Sequence, residues 1–203
     1  MMEVFTCEQG TDEWLRCRLG IPTASMFATV MAKGRGGKGE SKTRRDYMLK
    51  LLGERLTGDL MESYSNAHME RGKEMEAEAR AAYEFQQDVE CVQVGFVRNG
   101  DKGASPDSLV GDAGTLEIKT KLPHLHLDAL LRNEMPVEHR AQVQGQLWIC
   151  EREFCDFVSY WPKLPIFITR VHRDDEYINE TLAPAVAQFC DELDTLTDQL
   201  KEA

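Results

Sequence analysis

The segment SPDSLVGDAGTLEIKTK, residues 105–121, constrains this chain more than any other. SLVGD (108–112) and TLEIKTK (115–121) are short runs of strand-forming residues, which predicts two strands. Period-two geometry puts Glu117 and Lys119 on one face of the second strand, while Ile118 points the other way, into a core. Asp107 stands in a turn-like Ser-Pro-Asp, ten residues before Glu117. If Asp107 opens the neighbouring strand of a hairpin, two carboxylates and an ammonium converge at one end of a sheet.

The flanking sequence predicts what such a sheet packs against. Thr11, followed by Asp12 and Glu13, caps a helix that stops at Gly20. Thr23 is placed to cap a second, TASMFATVMAK (23–33), ending at Gly34. Residues 42–57 and 66–87 read as helices, the second rich in Ala and Glu. CVQVGFV (91–97) reads as a strand, 124–132 and 136–150 as helices, and 154–161 and 166–172 as strands. A long acidic helix, 174–201, notched at Pro184, closes the chain. This order predicts an α/β fold with a mixed central sheet flanked by helices. The 203 residues suit one domain: a helical part (about 11–87), a sheet core (about 88–172) and a C-terminal helix.

Composition narrows the possible functions. Hydrophobic residues make up 42% and charged residues 29%, with no run near the roughly 18 apolar residues of a membrane span. The N-terminal MMEVFTCEQGTDEW has no basic flank and no apolar region of the kind a signal peptide needs, so a cytoplasmic chain is expected. None of the six cysteines forms a C-x-x-C pair, and free thiols, several buried, are expected. The net charge of −11 argues by itself against nucleic acid. Residues 33–50, however, carry seven Lys or Arg against Glu40 and Asp46, a basic patch able to hold DNA locally. The loop GRGGKG (34–39) is not a Walker A loop, because Glu40 stands where that motif needs Lys.

Acid, acid and lysine at this spacing suit phosphodiester hydrolysis. Mg²⁺ takes hard oxygen ligands, which Asp107, Glu117 and the Ile118 carbonyl can supply, and Mn²⁺ can substitute. A bound water then ionises near neutral pH, and Lys119 can orient it or stabilise developing negative charge. Glu-x-Lys is also a common exposed strand pattern, so these three residues leave a surface strand open. Glu76, in GKEMEAEAR (72–80), can add a third carboxylate, or be one of several surface glutamates on that helix. Gln142 and Gln146, four apart in EHRAQVQGQLWIC (138–150), can orient a water or a phosphate, or be solvated helix residues.

Four ordered blocks, WLRCRLGIPTAS (14–25), GKEMEAEAR, SPD…GTLEIKTK and HRAQVQGQLW, together resemble the lambda-type (YqaJ-like) viral alkaline exonucleases of the PD-(D/E)xK superfamily. The resemblance runs from about residue 11 to 172. It implies a restriction-endonuclease-like mixed sheet and a Mg²⁺-dependent exonuclease acting on linear double-stranded DNA. Digestion would run 5′ to 3′, processively, leaving 3′ single strands for recombination. Glu76, Asp107 and Glu117 resemble the acidic metal site, Lys119 the catalytic lysine and Gln142 the glutamine near the nucleophile. Arg18, Ser25 and Ser105 resemble a pocket for the 5′ phosphate, with Ser25 at the start of its helix. Arg35 resembles a basic residue of the loop over DNA, and Met69 an apolar wedge between the last base pairs, although a buried helix methionine fits Met69 equally. The family further implies a ring-shaped homotrimer, a single-strand annealing partner, and a phage or prophage gene working in a bacterial cytoplasm.

Other readings remain open on sequence alone. A restriction endonuclease or junction resolvase of the superfamily would lack the Arg18, Ser25 and Ser105 set. An iron–sulfur nuclease would need more than Cys150 and Cys155. A non-catalytic DNA-end clamp or recombinase adaptor would not need Asp107, Glu117 and Lys119 intact. Arg18 could instead pair with Glu13 on the surface.

Overall fold

The computed structural model of the chain describes residues 1–37, 39–61 and 67–202, with the side chains of 67–71, 73 and 74 outside the described set. Along the chain run β1 (Met2–Phe5), α1 (Asp12–Cys17), α2 (Phe27–Val30), α3 (Lys42–Thr57) and α4 (Ala67–Gln87). Then come β2 (Cys91–Val92), β3 (Phe96–Asn99), β4 (Lys102–Ala104), β5 (Ser108–Val110) and β6 (Gly114–Lys119). The remainder is α5 (Pro123–Arg132), α6 (Arg140–Ile149), β7 (Phe154–Ser159), β8 (Phe167–His172), α7 (Asp175–Tyr177) and α8 (Ala183–Lys201).

The expected mixed sheet is present, with strand order β2-β5-β6-β7-β8. All its pairings are antiparallel except β6 with β7, which run parallel. A parallel link needs a long crossover, and α5 and α6 provide it. β6 lies in the middle and is buried along all but its last residue, Lys119. Leu116, Ile118 and Val158 pack with Ala79 and Tyr83 of α4 on one face. Cys155, Phe157 and Phe167 pack with Ala129, Val143 and Leu147 of α5 and α6 on the other. Beneath α4, Asp156 is buried but fully satisfied, bonded by Tyr83 Oη (2.6 Å) and by both arms of Arg170 (2.8 Å each). Burial of that kind is tolerable only because both carboxylate oxygens are paired. A third cluster joins α2, α3, α6 and α8 around Phe27, Met48 and Phe189.

The structure departs from the sequence reading at four places. CVQVGFV is not one strand: β2 pairs with β5 in the large sheet, whereas β3 pairs with β1 and β4 in a separate three-stranded sheet. The chain changes sheets at Gly95, where a Cβ would lie 2.2 Å from the Cys7 carbonyl oxygen. Strands β1 and β4 have no counterpart in the expected element order. The Lys-Gly-Ala of β4 has no apolar alternation, and it pairs there because Phe96 fills the space over Gly103 that a Cβ would need. Residues 23–33 do not form one helix but a three-residue 3-10 turn (Ala24–Met26) and the single turn of α2, and Thr23 makes no side-chain cap. Before Pro184 the last helix widens into a π segment, Ile178–Leu182, which gives the expected notch a defined form. Thr11 caps α1 as expected, accepting from Trp14 N–H at 3.3 Å.

Gly145 shows why a poor helix former stands in the middle of α6. A glycine there costs the helix about 1 kcal/mol relative to alanine. A Cβ at Gly145, however, would lie 2.4 Å from Phe27 Cδ2 and 3.3 Å from Ala24 Cβ. The bare backbone lets α6 rest on the 24–30 segment, next to the pocket described below. Gly145→Ala is therefore expected to lose about 1–3 kcal/mol by overpacking instead of gaining helix stability, as urea denaturation would measure.

Candidate active site

The expected hairpin of β5 and β6 brings the Ser-Pro-Asp turn to the end of the catalytic-type strand. β5 begins at Ser108, opposite Leu116, so Ile118 has no strand partner on that side. Asp107 replaces one: its Oδ2 accepts the Ile118 N–H at 2.6 Å, and its own N–H donates to Leu116 O at 3.1 Å. Glu117 is buried, and its Oε1 accepts from Lys119 Nζ at 2.5 Å and from Gln142 Nε2 of α6 at 2.6 Å. Glu117 Oε2 is buried with no hydrogen-bond partner among the described residues. Glu76 approaches from α4 and is held by Arg80, four residues on, which also donates to Ser108 Oγ at 3.0 Å. The structure thus brings Asp107, Glu117, Lys119, Gln142 and Glu76 to one end of β6. Gln142 points inward, not to solvent. Gln146 is buried as well, with its Nε2 unpartnered among the described residues.

Electrostatics of the cluster follow from like charges under cover. Burial, then Glu117 and Glu76, push the Asp107 carboxyl well above its ordinary value, against the pull of Lys119. Burial raises Glu76 too, opposed by Arg80. Burial would lower the Lys119 ammonium, but Glu117 and Asp107 outweigh it and hold its pKa above normal. Lys119 is therefore a firm cation and not a free base. His139, beside this end of α6, adds no charge near neutral pH, because burial and the Lys121 and Lys119 ammoniums bring its pKa down to about 4.

This donor set fits a divalent cation. The orphaned Glu117 Oε2 and the raised Asp107 and Glu76 carboxyls both mark a deficit of positive charge. As the side chains stand, no three acidic, histidine or cysteine groups among the described residues converge tightly enough to hold a metal. Glu76 is turned onto Arg80 and Asp107 onto the Ile118 N–H.

A second constellation adjoins the first. Arg18 Nη1 donates to Ser105 Oγ at 2.8 Å, and Nη2 donates to Thr23 Oγ1 at 3.4 Å. Trp14 Nε1 also donates to Ser105 Oγ (3.0 Å), and the Arg18 guanidinium lies 4.1 Å from the Trp14 ring centroid. Thr23 Oγ1 and Ser25 Oγ lie 3.2 Å apart. Arg18 is not paired with Glu13; its hydrogen bonds among the described residues go to hydroxyls. Arg18, Ser25 and Ser105 are thus drawn together as the sequence implied. The helix start expected at Ser25 is only a three-residue turn, so no helix dipole acts there. The loop carrying these residues is clamped by α3: Glu54 Oε2 accepts Gly20 N–H at 2.9 Å and Arg55 Nε donates to Gly20 O at 2.8 Å. Gly20 has φ +65°, and a Cβ there would lie 2.5 Å from Arg55 Cγ.

Two expected residues are not drawn into either group. Arg35 is exposed in the 35–37 turn, in no ion pair among the described residues. Met69 lies in α4, and its side chain is outside the described residues. Part of the basic patch is already neutralised, since Arg44 bridges Glu40 and Glu192 and Lys42 pairs with Asp46. Arg80 went unread in the sequence. Its only signal was the Glu76-x-x-x-Arg80 spacing, which is common on surface helices.

The fold and these paired sites define a nuclease-like α/β class, and residues 13–153 match the YqaJ-like viral recombinase domain. The chain belongs to that family. It is similar to the alkaline exonuclease LHK-Exo from Laribacter hongkongensis in two crystal structures, one a complex with dAMP. Each is 38% identical with a TM-score of 0.85, over 95% of this chain and 97% of that one. A phage-related exonuclease from Haemophilus somnus 129PT shares the fold at 13% identity and a TM-score of 0.64, over 90% of this chain and 95% of its own. No curated protein sequence matches.

The raised Asp107 pKa has a consequence for stability. The carboxyl starts from 3.8 and is raised on folding, so the folded state holds its proton more tightly. The stability this gives is full below the unfolded pKa and is lost as pH rises through the folded one. In EDTA, Asp107→Asn is expected to melt a few degrees above wild type at neutral and alkaline pH, where about 2–4 °C corresponds to 1 kcal/mol. The difference should close toward pH 4. Thermal melts across pH would show it, and equal melting curves at pH 8 would count against the buried-charge account.

Proposed function

We propose that this protein is a Mg²⁺-dependent exonuclease that degrades linear double-stranded DNA from its 5′ ends, processively, leaving 3′ single strands for annealing. Family membership and the likeness to LHK-Exo support an exonuclease. One observation carries the more specific reading: the Arg18–Ser105 bond of 2.8 Å. Ser105 stands two residues before Asp107, so a guanidinium pocket is fixed to the carboxylate centre by three residues of chain.

Asp107, Glu117 and the Ile118 carbonyl would hold the cation, joined by Glu76 once it leaves Arg80; Mn²⁺ would substitute for Mg²⁺. In an extended strand a residue's N–H and C=O point to the same side, so the Ile118 carbonyl shares the side on which Asp107 lies. A divalent cation bound there supplies a polarised phosphate and a water that ionises near neutral pH. Lys119, kept charged by Glu117 and Asp107, stabilises negative charge on the phosphate in the transition state. Gln142 donates to Glu117 through Nε2, which leaves its carbonyl oxygen to accept from the attacking water. Arg18, with a planar fork that suits two phosphate oxygens, grips the terminal 5′ phosphate together with Ser25 and Ser105. Each cut then makes a new 5′ phosphate for the pocket, which draws the duplex one way. Arg35 would contact DNA from its exposed turn, and Met69 would part the last base pairs.

A net charge of −11 favours enclosure over a broad basic face, which supports a closed ring with a locally basic lining; that the ring is a homotrimer follows from the family resemblance alone. A single-strand annealing protein would take up the 3′ strand, in a bacterial cytoplasm with a phage or prophage gene. Among the described residues no helix is long and apolar enough to cross a membrane.

The defining assay uses linear duplexes with 5′-phosphate or 5′-hydroxyl ends, in Mg²⁺ and in EDTA. Wild type should need the metal and prefer the phosphate. Lys119→Ala should lose about 10²–10³-fold in rate while staying folded. Arg18→Ala should lose the end preference and most processivity. Activity within tenfold of wild type in Lys119→Ala would remove it from the chemistry, and an intact end preference in Arg18→Ala would leave only an unspecified nuclease. Light scattering should give a trimer at micromolar concentration; a monomer that still digests processively would exclude the ring.

A further inference from the structure

The pocket around Arg18 contains a group that none of the sequence motifs carries. Tyr47 comes from α3, is 8% exposed, and stacks its ring on Phe189 with centroids 5.7 Å apart. With Trp14, Arg18, Thr23, Ser25 and Lys50 it lines a cavity of about 240 Å³. Its oxygen accepts the Thr23 N–H at 3.2 Å. The Thr23 hydroxyl, which accepts from Arg18 at 3.4 Å, also interacts with the phenol. A hydroxyl proton shared with a neutral neighbouring hydroxyl can rotate to a charged acceptor, to which its hydrogen bond is stronger. The Arg18 guanidinium is close enough for the two groups to feel each other electrostatically. Burial, opposed by the Thr23 bonds and by Arg18, keeps the phenol above its ordinary value, so it remains a donor in mildly alkaline solution.

We propose that the Tyr47 hydroxyl donates a hydrogen bond to the terminal 5′ phosphate held by Arg18, making Tyr47 a residue that selects phosphorylated DNA ends. The proposal rests on the reading of this cavity as the phosphate pocket. The chemistry is matched on both sides. The cavity presents donors from Arg18, Ser25, Lys50 and Tyr47, with Ser105 joined to it through Arg18, and its one carboxylate among the described residues, Glu54, is held by the Gly20 N–H and faces Lys50. A phosphate monoester offers three charged oxygens, whereas a 5′-hydroxyl end offers none. The Thr23 bond fixes the phenol oxygen, and stacking on Phe189 fixes the ring, so the donor is set before the ligand arrives.

The test is Tyr47→Phe, which keeps the stacked ring and removes only the oxygen. Binding of the variant to short duplexes with 5′-phosphate and 5′-hydroxyl ends is measured by fluorescence anisotropy in EDTA, which prevents cleavage. Wild type and Arg18→Ala are measured in parallel. Loss of one hydrogen bond to a charged group should weaken binding of the phosphorylated end about tenfold or more, while the hydroxyl end serves as internal reference. An unchanged ratio in Tyr47→Phe, with the ratio lost in Arg18→Ala, would overturn the role of Tyr47 and leave the pocket standing. Equal weakening for both ends in Tyr47→Phe would assign Tyr47 to holding the loop and would also overturn it. If Arg18→Ala itself keeps the wild-type ratio, the pocket reading fails and Tyr47 falls with it.

Discussion

Carboxylates repel when they share a buried site, and the end of β6 is built around managing that repulsion. Glu117 raises the cost of charge on both Asp107 and Glu76, Glu76 adds to it on Asp107, and each of the three acids is given a different counterweight. Asp107 takes the Ile118 N–H, Glu117 takes Lys119 and Gln142, and Glu76 takes Arg80. Among the described residues, one buried oxygen of the cluster, Glu117 Oε2, is left with none. A site balanced in this way keeps its acids concentrated while the chain remains folded, and it leaves negative charge unmet. Stability is given up where chemistry needs an unmet charge.

The second constraint is mechanical. The proposed anion pocket and the proposed hydrolytic centre are useful together only if their separation is fixed. Here Ser105 receives two donors, from Arg18 and Trp14, and Gln9 anchors the same turn by donating to Pro106 O at 2.9 Å. Pro106 restricts the backbone between Ser105 and Asp107. The opposite wall is held by α3, whose Tyr47, Glu54 and Arg55 grip residues 20–23. Gly20 and Gly145 mark where these walls approach too closely for a side chain. The two sites are therefore joined through short rigid segments and not through a mobile loop.

Charge distribution gives a third lesson. The basic stretch 33–50 stands out in the sequence, yet Arg44 and Lys42 are partly spent on neighbouring acids, including Glu192 of α8. Lys33, Arg35 and Arg45 remain outside any ion pair among the described residues. Any favourable field for DNA is thus narrower than a count of residues indicates, because salt bridges within the fold consume part of it.

The mixed sheet, its helical flanks, the β5–β6 hairpin and the family were legible from local pattern. Strand periodicity fixes which face Glu117 and Lys119 share, and four ordered blocks survive whatever packing surrounds them. Gln142 and Arg18 were legible as candidates, but their partners were not. Whether Arg18 meets Glu13 or Ser105, and whether Gln142 faces water or Glu117, is decided by contacts between segments 87 and 25 residues apart. The split of 91–97 between two sheets, the pairing of Lys-Gly-Ala as β4, and the broken helix after Thr23 likewise depend on neighbours distant in sequence. Tyr47 and Arg80 look like ordinary helix residues until α3 and α4 dock. The sequence by itself determined which chemistry the chain carries, because residue type and local period are written in it. Only the tertiary structure decided which charges stay unmatched and which donors meet in one cavity, because satisfaction is a property of the whole packed neighbourhood.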